Sequence, residues 1–227
     1  MKAFIINSVE FRHWGWNAMT VAFIATVAFT FVQAWSLWIQ AGTIWKKRSA
    51  ESVSVPLFTF GCFACVGFAI YGYFIRSIAT LASGGIQCLM YVPVVIGIIR
   101  FKRVRPYEWA LVALFTAIGP LMAIVSRKDL FLFAIISVEL FVLADQPYQI
   151  WKNKSAGAVN PKTMCVYLAA CAFWTVYALM IHDWVLSVFN PLGVVILGTT
   201  LALWWRYRPE SEYDAYQEFD AASPRAQ

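Results

Sequence analysis

The chain has 227 residues, 61% of them hydrophobic and 13% charged, with a formal net charge of +6. Water-soluble domains carry about 25% charged residues, so this composition excludes one, and much of the surface must face lipid. The basic residues stand between long apolar runs, which is the pattern of loops flanking membrane spans and excludes a nucleic-acid surface.

A spanning helix needs about 20 mostly apolar residues, and the sequence predicts seven. Residues 1–16 form an N-terminal segment in which Glu10, Arg12 and His13 argue against a cleavable signal. The first span is 17–39, preceded by Trp14 and Trp16, which suit an interfacial belt. The second is 57–75, closed by Arg76 and Ser77, and the third is 78–99, closed by Arg100, Lys102, Arg103 and Arg105. The fourth is 107–126, closed by Arg127, Lys128 and Asp129, and the fifth is 130–146. The sixth is 162–181, closed by His182 and Asp183, and the seventh is 184–205, closed by Arg206 and Arg208. Residues 209–227 read as an acidic, disordered tail on the cytoplasmic side. The five cysteines all lie in apolar segments, so Cys62 and Cys65 read as packing residues rather than a redox or zinc pair.

A shift of 106 residues lays the second half of the chain on the first. Gln40 falls on Gln146, Trp45 on Trp151, Lys46 on Lys152, Ser49 on Ser155, Cys65 on Cys171, Tyr71 on Tyr177 and Arg100 on Arg206. Pro56 and Pro161 miss the register by one. This divides the chain into 1–16 outside, a first three-helix repeat at 17–105, a linker helix at 106–128, a second repeat at 129–208, and the tail at 209–227. Two repeats of the same orientation need an odd span between them, so the expected fold is an all-α membrane protein. Its seven transmembrane helices form two parallel three-helix bundles joined by the fourth span. The loops after spans one, three, five and seven, with the tail, hold 13 of the 18 Lys and Arg residues. That bias places the C-terminus in the cytoplasm and the N-terminus outside a cell membrane.

A Gln ending the first helix, a basic turn with Ser, and a Pro opening the second, repeated in 3+1+3 spans, resemble the PQ-loop superfamily and within it the SWEET sugar transporters. The resemblance covers about residues 30–208. It departs in the dipeptide itself, since Ile39 precedes Gln40 and Asp145 precedes Gln146, with Pro147 following. The resemblance implies a hinge or gating role for Gln40, Gln146, Pro56, Pro161 and Pro191, and Asp145 is weighed beside them. Asp145 has a plainer expected role as partner to Lys152 or Lys154.

Several polar residues fall at membrane depth. Glu139 sits in the middle of the fifth span, where an ionisable group costs about 2.5–3.5 kcal/mol to insert, and its repeat partner is Gln33. Gln33 with Gln40, and Glu139 with Gln146, are each close to two helical turns apart, so each repeat presents a polar stripe. Either Glu139 lines a pore as a solute or proton site, or a neighbouring helix satisfies it. Asn190-Pro191 is expected to break the seventh span and mark a cavity, because a freed backbone carbonyl is tolerated in lipid only beside protein or water. Trp174 lies at a similar depth on the sixth span. An indole face beside an amide suits a sugar, and by resemblance Trp174 and Asn190 match the SWEET sugar-holding pair. In the first repeat Phe68 takes the Trp174 position and Gly84 that of Asn190. A break at Ser83-Gly84-Gly85 is expected there, with Gln87 supplying an amide one turn on.

The expected function is transport of a small polar solute, a sugar by resemblance, by alternating access and as a passive uniporter. The alternatives are a proton-coupled amino-acid or vitamin transporter using Glu139, and a PQ-loop-like membrane receptor, for which Tyr213 and Tyr216 in the tail are the weak sorting signal. No Lys lies within 184–205, which excludes a retinal Schiff base, and His13 and His182 lie at span edges, which argues against an enzyme. No cofactor and no metal are expected; the partners are the solute and the bilayer, with homo-oligomerisation left open.

Overall fold

The computed structural model describes residues 2–50, 53–155 and 161–207. All the regular structure among them is helical. Two short helices, α1 (Lys2–Ile6) and α2 (Val9–Arg12), precede α3 (Ala18–Lys47), α4 (Val55–Phe74) and α5 (Ile78–Phe101). The linker is α6 (Pro106–Thr116) followed by α7 (Ile118–Ile124), and the second repeat is α8 (Lys128–Asn153), α9 (Pro161–Met180) and α10 (Trp184–Tyr207). Six of these helical stretches are long and apolar enough to cross a bilayer, α6 and α7 counting as one, and the apolar part of α9 makes the shorter seventh. Large apolar side chains point outward all round, Phe141 at 79% and Ile124 at 76% exposure among them, as lipid-facing helices require.

Three boundaries differ from the sequence expectation, each for a physical reason. The first and fifth spans run on to Lys47 and Asn153 instead of stopping near residues 39 and 146. The basic stretches continue the helix into water, and Arg48 and Lys154 then end it in the left-handed conformation (φ 47° and 53°). Gln40 and Gln146 are therefore helical residues, and Pro147 sits buried inside α8. The fourth span bends at Ala117, because Pro120 has no N–H to offer the carbonyl of Thr116. The expected breaks at Ser83-Gly84-Gly85 and Asn190-Pro191 are absent: α5 and α10 run through both. The tail, including Tyr213 and Tyr216, lies outside the described residues.

The backbone repeats itself. Among the described residues, the non-glycine positions with positive φ are Arg48, Arg76, Lys154 and His182, two pairs at the 106-residue shift. In each repeat the third helix packs against the first and the second: α5 on α3 and α4, α10 on α8 and α9. Across the molecule α3 packs on α9 and α8 on α4, the reciprocal contacts that a pseudo-twofold axis along the helices produces. The linker helices α6 and α7 rest on α4.

Glycine sets the tightest crossing. A Cβ on Gly84 would lie 2.5 Å from the Ala69 nitrogen and 2.7 Å from the Cys65 carbonyl oxygen, and one on Gly72 would lie 2.3 Å from the Leu81 nitrogen. The backbones of α4 and α5 thus touch, with a buried Thr30–Ser83 hydroxyl bond of 2.6 Å fixing α3 beside them. Gly85, next in sequence, has open space. Gly84→Ala is expected to lower the melting temperature in detergent, by the equivalent of about 1–3 kcal/mol or more of overpacking. Gly85→Ala should leave it level or raise it, since alanine favours a helix by about 1 kcal/mol. Equal melting temperatures for the two variants would refute the assignment.

Candidate functional site: a polar gap beneath a closed end

Two groups of residues lie between the repeats, one polar and midway along the helices, the other at the end where α4 meets α5 and α9 meets α10. In the polar group, Gln87 Nε2 on α5 donates to Gln33 Oε1 on α3 at 3.0 Å, and the Cys65 thiol on α4 lies 3.9 Å from Gln87 Oε1. Glu139 on α8 lies near enough to Cys65, Tyr91, Tyr167 and Cys171 to act on all four electrostatically. Those residues belong to α4, α5 and α9, so Glu139 points between the repeats. Its residue surface is nonetheless exposed, and no described residue bonds or pairs with it. Glu139 is thus a candidate to line a path between the repeats.

The gap is not symmetric. A Cβ on Gly61 would meet the Tyr91 ring at 2.8 Å, so the first repeat places its lining tyrosine on α5 and leaves room for it on α4. At the 106-residue shift the second repeat has Tyr167 at the Gly61 position and Leu197 at that of Tyr91. Amides are exchanged in the same way. The first repeat carries Gly84 and then Gln87; the second carries Asn190 and then Gly193. Gly84 is spent on helix packing and cannot carry a polar group.

The expected sugar-holding pair lies nearer the closed end. Trp174 is buried, edge-on to its repeat counterpart Phe68 at 5.8 Å and to Tyr177 at 5.6 Å. Asn190 is buried, and its amide donates to the Leu186 carbonyl at 2.9 Å. In this conformation its donor is occupied within its own helix. The prolines take first-turn positions: Pro56 follows the Ser54 cap of α4, and Pro161 opens α9. Pro191 lies within α10. Asp145 does not pair with Lys152 or Lys154 as expected. It accepts from Gln149 Nε2 at 3.1 Å on its own helix, while Lys154 donates to the Tyr207 hydroxyl at 3.3 Å.

The closed end is built from residues outside the sequence-derived set. Tyr71 on α4 donates to Asp183 Oδ2 at 2.5 Å; Asp183 also caps α10, accepting from the Leu186 N–H at 2.9 Å. Tyr177 on α9 bonds Ser77 Oγ at 2.7 Å; Ser77 in turn caps α5, accepting from the Thr80 N–H at 3.0 Å. Tyr71 and Tyr177 are equivalent under the shift, and so are Ser77 and Asp183. Each tyrosine therefore holds the helix cap of the other repeat. Around them Trp174, Leu132, Ile136, Val185 and Leu186 form one buried core that joins both repeats and the linker. The second core cluster, Ala41, Ile44, Ala50, Val55, Val94 and Ile98, lies toward the other end and has only first-repeat members. The described tyrosine bonds and the shared core thus fasten the repeats together at the closed end. The signal was present in sequence, since a tyrosine stands six residues before a helix-capping Ser or Asp in both repeats.

Among the described residues no group of His, Cys, Asp and Glu could hold a metal ion. A cavity of about 400 Å³, lined by Ala3, Phe4, Asn7, Tyr73, Phe74 and Arg76, lies at the N-terminal helices, apart from the polar group.

Residues 131–212, the second repeat, match the family model described as sugar efflux transporter for intercellular exchange. Among solved structures the chain is similar to a eukaryotic SWEET transporter, with a TM-score of 0.66 and 17% identity, over 84% of this chain and 96% of that one. A search of curated protein sequences gives no match.

Tyr71→Phe should lower the melting temperature in detergent by the equivalent of about 1.5–3 kcal/mol, the worth of a hydrogen bond to a charged acceptor. Tyr73→Phe, which removes an exposed hydroxyl, should stay within about 0.5 kcal/mol. A Tyr71 variant as stable as the Tyr73 variant would show that the cross-repeat bond does not hold the end closed.

Proposed function

We propose, taking a SWEET and PQ-loop superfamily transporter as the premise, that this chain carries a small polar solute, a sugar, through the gap between its repeats by alternating access. The observation that supports this most is the reciprocal tyrosine fastening of the repeats at one end, above a polar group midway. A pathway shut on one side and wet in the middle is one of the two states that alternating access requires. The bias of Lys and Arg toward the opposite end supports an outside N-terminus and a path open to the cytoplasm.

The steps follow from the contacts. Tyr177 stands edge-on to Trp174, so parting the tyrosine bonds also loosens the indole. Asn190 gives up its donation to the Leu186 carbonyl to reach a solute hydroxyl. Gln33 and Gln87 exchange their mutual amide bond for bonds to the solute. Each is a swap of one hydrogen bond for another of similar strength, which keeps the solute weakly held and able to leave. The balance of these swaps favours passive uniport. Glu139 carries the second reading: its carboxyl, which no described residue pairs with, would couple a solute to a proton gradient by taking up and releasing a proton.

Proteoliposomes separate the two. A panel of sugars, amino acids and vitamins is presented with and without a pH gradient to wild type, Trp174→Ala and Glu139→Gln. Uniport predicts sugar uptake that ignores the gradient, survives Glu139→Gln, and falls about 10-fold or more in Trp174→Ala, the loss of an aromatic contact of order 1.5 kcal/mol. Stimulation by the gradient, abolished in Glu139→Gln, would establish symport. No uptake of any solute would defeat the transport reading and leave a receptor.

A further inference from the structure

The tyrosine bonds that close the molecule are reciprocal in geometry but not in chemistry. Asp183 presents a carboxyl to Tyr71, whereas its counterpart Ser77 presents only a hydroxyl to Tyr177. The missing carboxyl is supplied from elsewhere. Glu10, on the N-terminal helix α2, reaches into the same cluster with 2% of its surface exposed. Its Oε1 accepts from the Tyr177 hydroxyl at 2.5 Å and from the backbone N–H of Ala79, in the first turn of α5, at 2.9 Å. Ser77 Oγ lies 3.2 Å from the same oxygen. With one proton on each hydroxyl, Ser77 feeds Tyr177 and Tyr177 feeds Glu10. The carboxylate also meets the positive end of α5, as an acidic cap does.

The segment that delivers Glu10 is docked along its length. The Phe4 ring stacks on Tyr73 of α4 at 5.4 Å, the Val9 N–H donates to the Arg76 carbonyl at 3.0 Å, and Trp14 meets Phe23 of α3 edge-on at 6.3 Å. Through Phe4, Val9 and Trp14 it grips the first repeat, and through Glu10 it grips Tyr177 of the second. We propose that the N-terminal segment is a strap on the transport cycle: Glu10 completes the half of the outer closure that Ser77 leaves short, and its docking holds that end shut. This rests on the alternating-access reading above.

One further feature makes the strap releasable. Glu10 Oε2 is buried with no hydrogen-bond partner among the described residues. Burying a bare carboxylate oxygen is unfavourable, and parting the repeats lets water reach it. Closure gains two donors on one oxygen and leaves the other dry, so the closed state is held without being permanent.

The test uses hydrogen–deuterium exchange of the full-length protein in lipid nanodiscs without solute, so it reads closure whether or not any solute is transported. In Glu10→Ala, amides of residues 70–82 and 176–186, the two halves of the closed end, should exchange about tenfold faster or more, while residues 91–101 at the opposite end hold the wild-type rate. The double variant Glu10→Ala with Ser77→Asp returns a carboxyl to the place where the second repeat has one, and slow exchange at both segments should be restored. Unchanged exchange in Glu10→Ala would overturn the proposal. A uniform rise along the chain, or failure of Ser77→Asp to rescue, would also overturn it, because Glu10 would then be a general folding contact.

Discussion

Two buried tyrosines, each crossing to the helix cap of the other repeat, are the constraint on which the rest of the molecule depends. A bilayer offers no hydrophobic drive to press two three-helix bundles together, since lipid is as apolar as they are. What distinguishes contact from separation is polar bonding and close packing, and the buried tyrosine bonds between the repeats stand at one end. Tyr71 with Asp183, and Tyr177 with Ser77 and Glu10, fasten that end, with Trp174 and Phe68 packed beneath. Below them the packing gives way to amides, tyrosines and an unpaired carboxyl. The fold thus sets a bonded, close-packed end apart from a polar stretch along the helix axis, the separation that the proposed alternating path needs.

Much of this was legible in the residues. The 106-residue register predicted the parallel repeats, and the backbone carries the same register in its left-handed residues, Arg48 with Lys154 and Arg76 with His182. The spans were found because apolar runs of that length have few other uses. The helix ends at Lys47 and Asn153 were misjudged because hydropathy marks where lipid stops, and a helix with a basic last turn continues past that point. The breaks expected at Gly84 and Pro191 failed for a related reason: residue propensity is local, and neighbouring helices hold the backbone straight. Gly84 is present for the close approach of α4, which no single-chain pattern announces.

The site was legible in part. The depth of Glu139 and its kinship with Gln33 could be read from position, and the structure turns both toward other helices of the bundle. The fastening could not be read in the same way, because its partners are 112, 100 and 167 residues apart. Each of them looked like an ordinary span-edge residue. Glu10 in particular read as an interruption in a leading segment, and its burial depends on three groups from two other helices.

The resting place of the linker has a mechanical meaning. Because α6 and α7 lie on α4, the first repeat and linker make a body of four spans, its α4–α5 seam locked by glycine against glycine-sized gaps, and the second repeat makes a body of three. In the proposed cycle the quartet, with its locked seam, is the stiffer frame and the trio the part that swings, less a pair of matched jaws than a door on a frame.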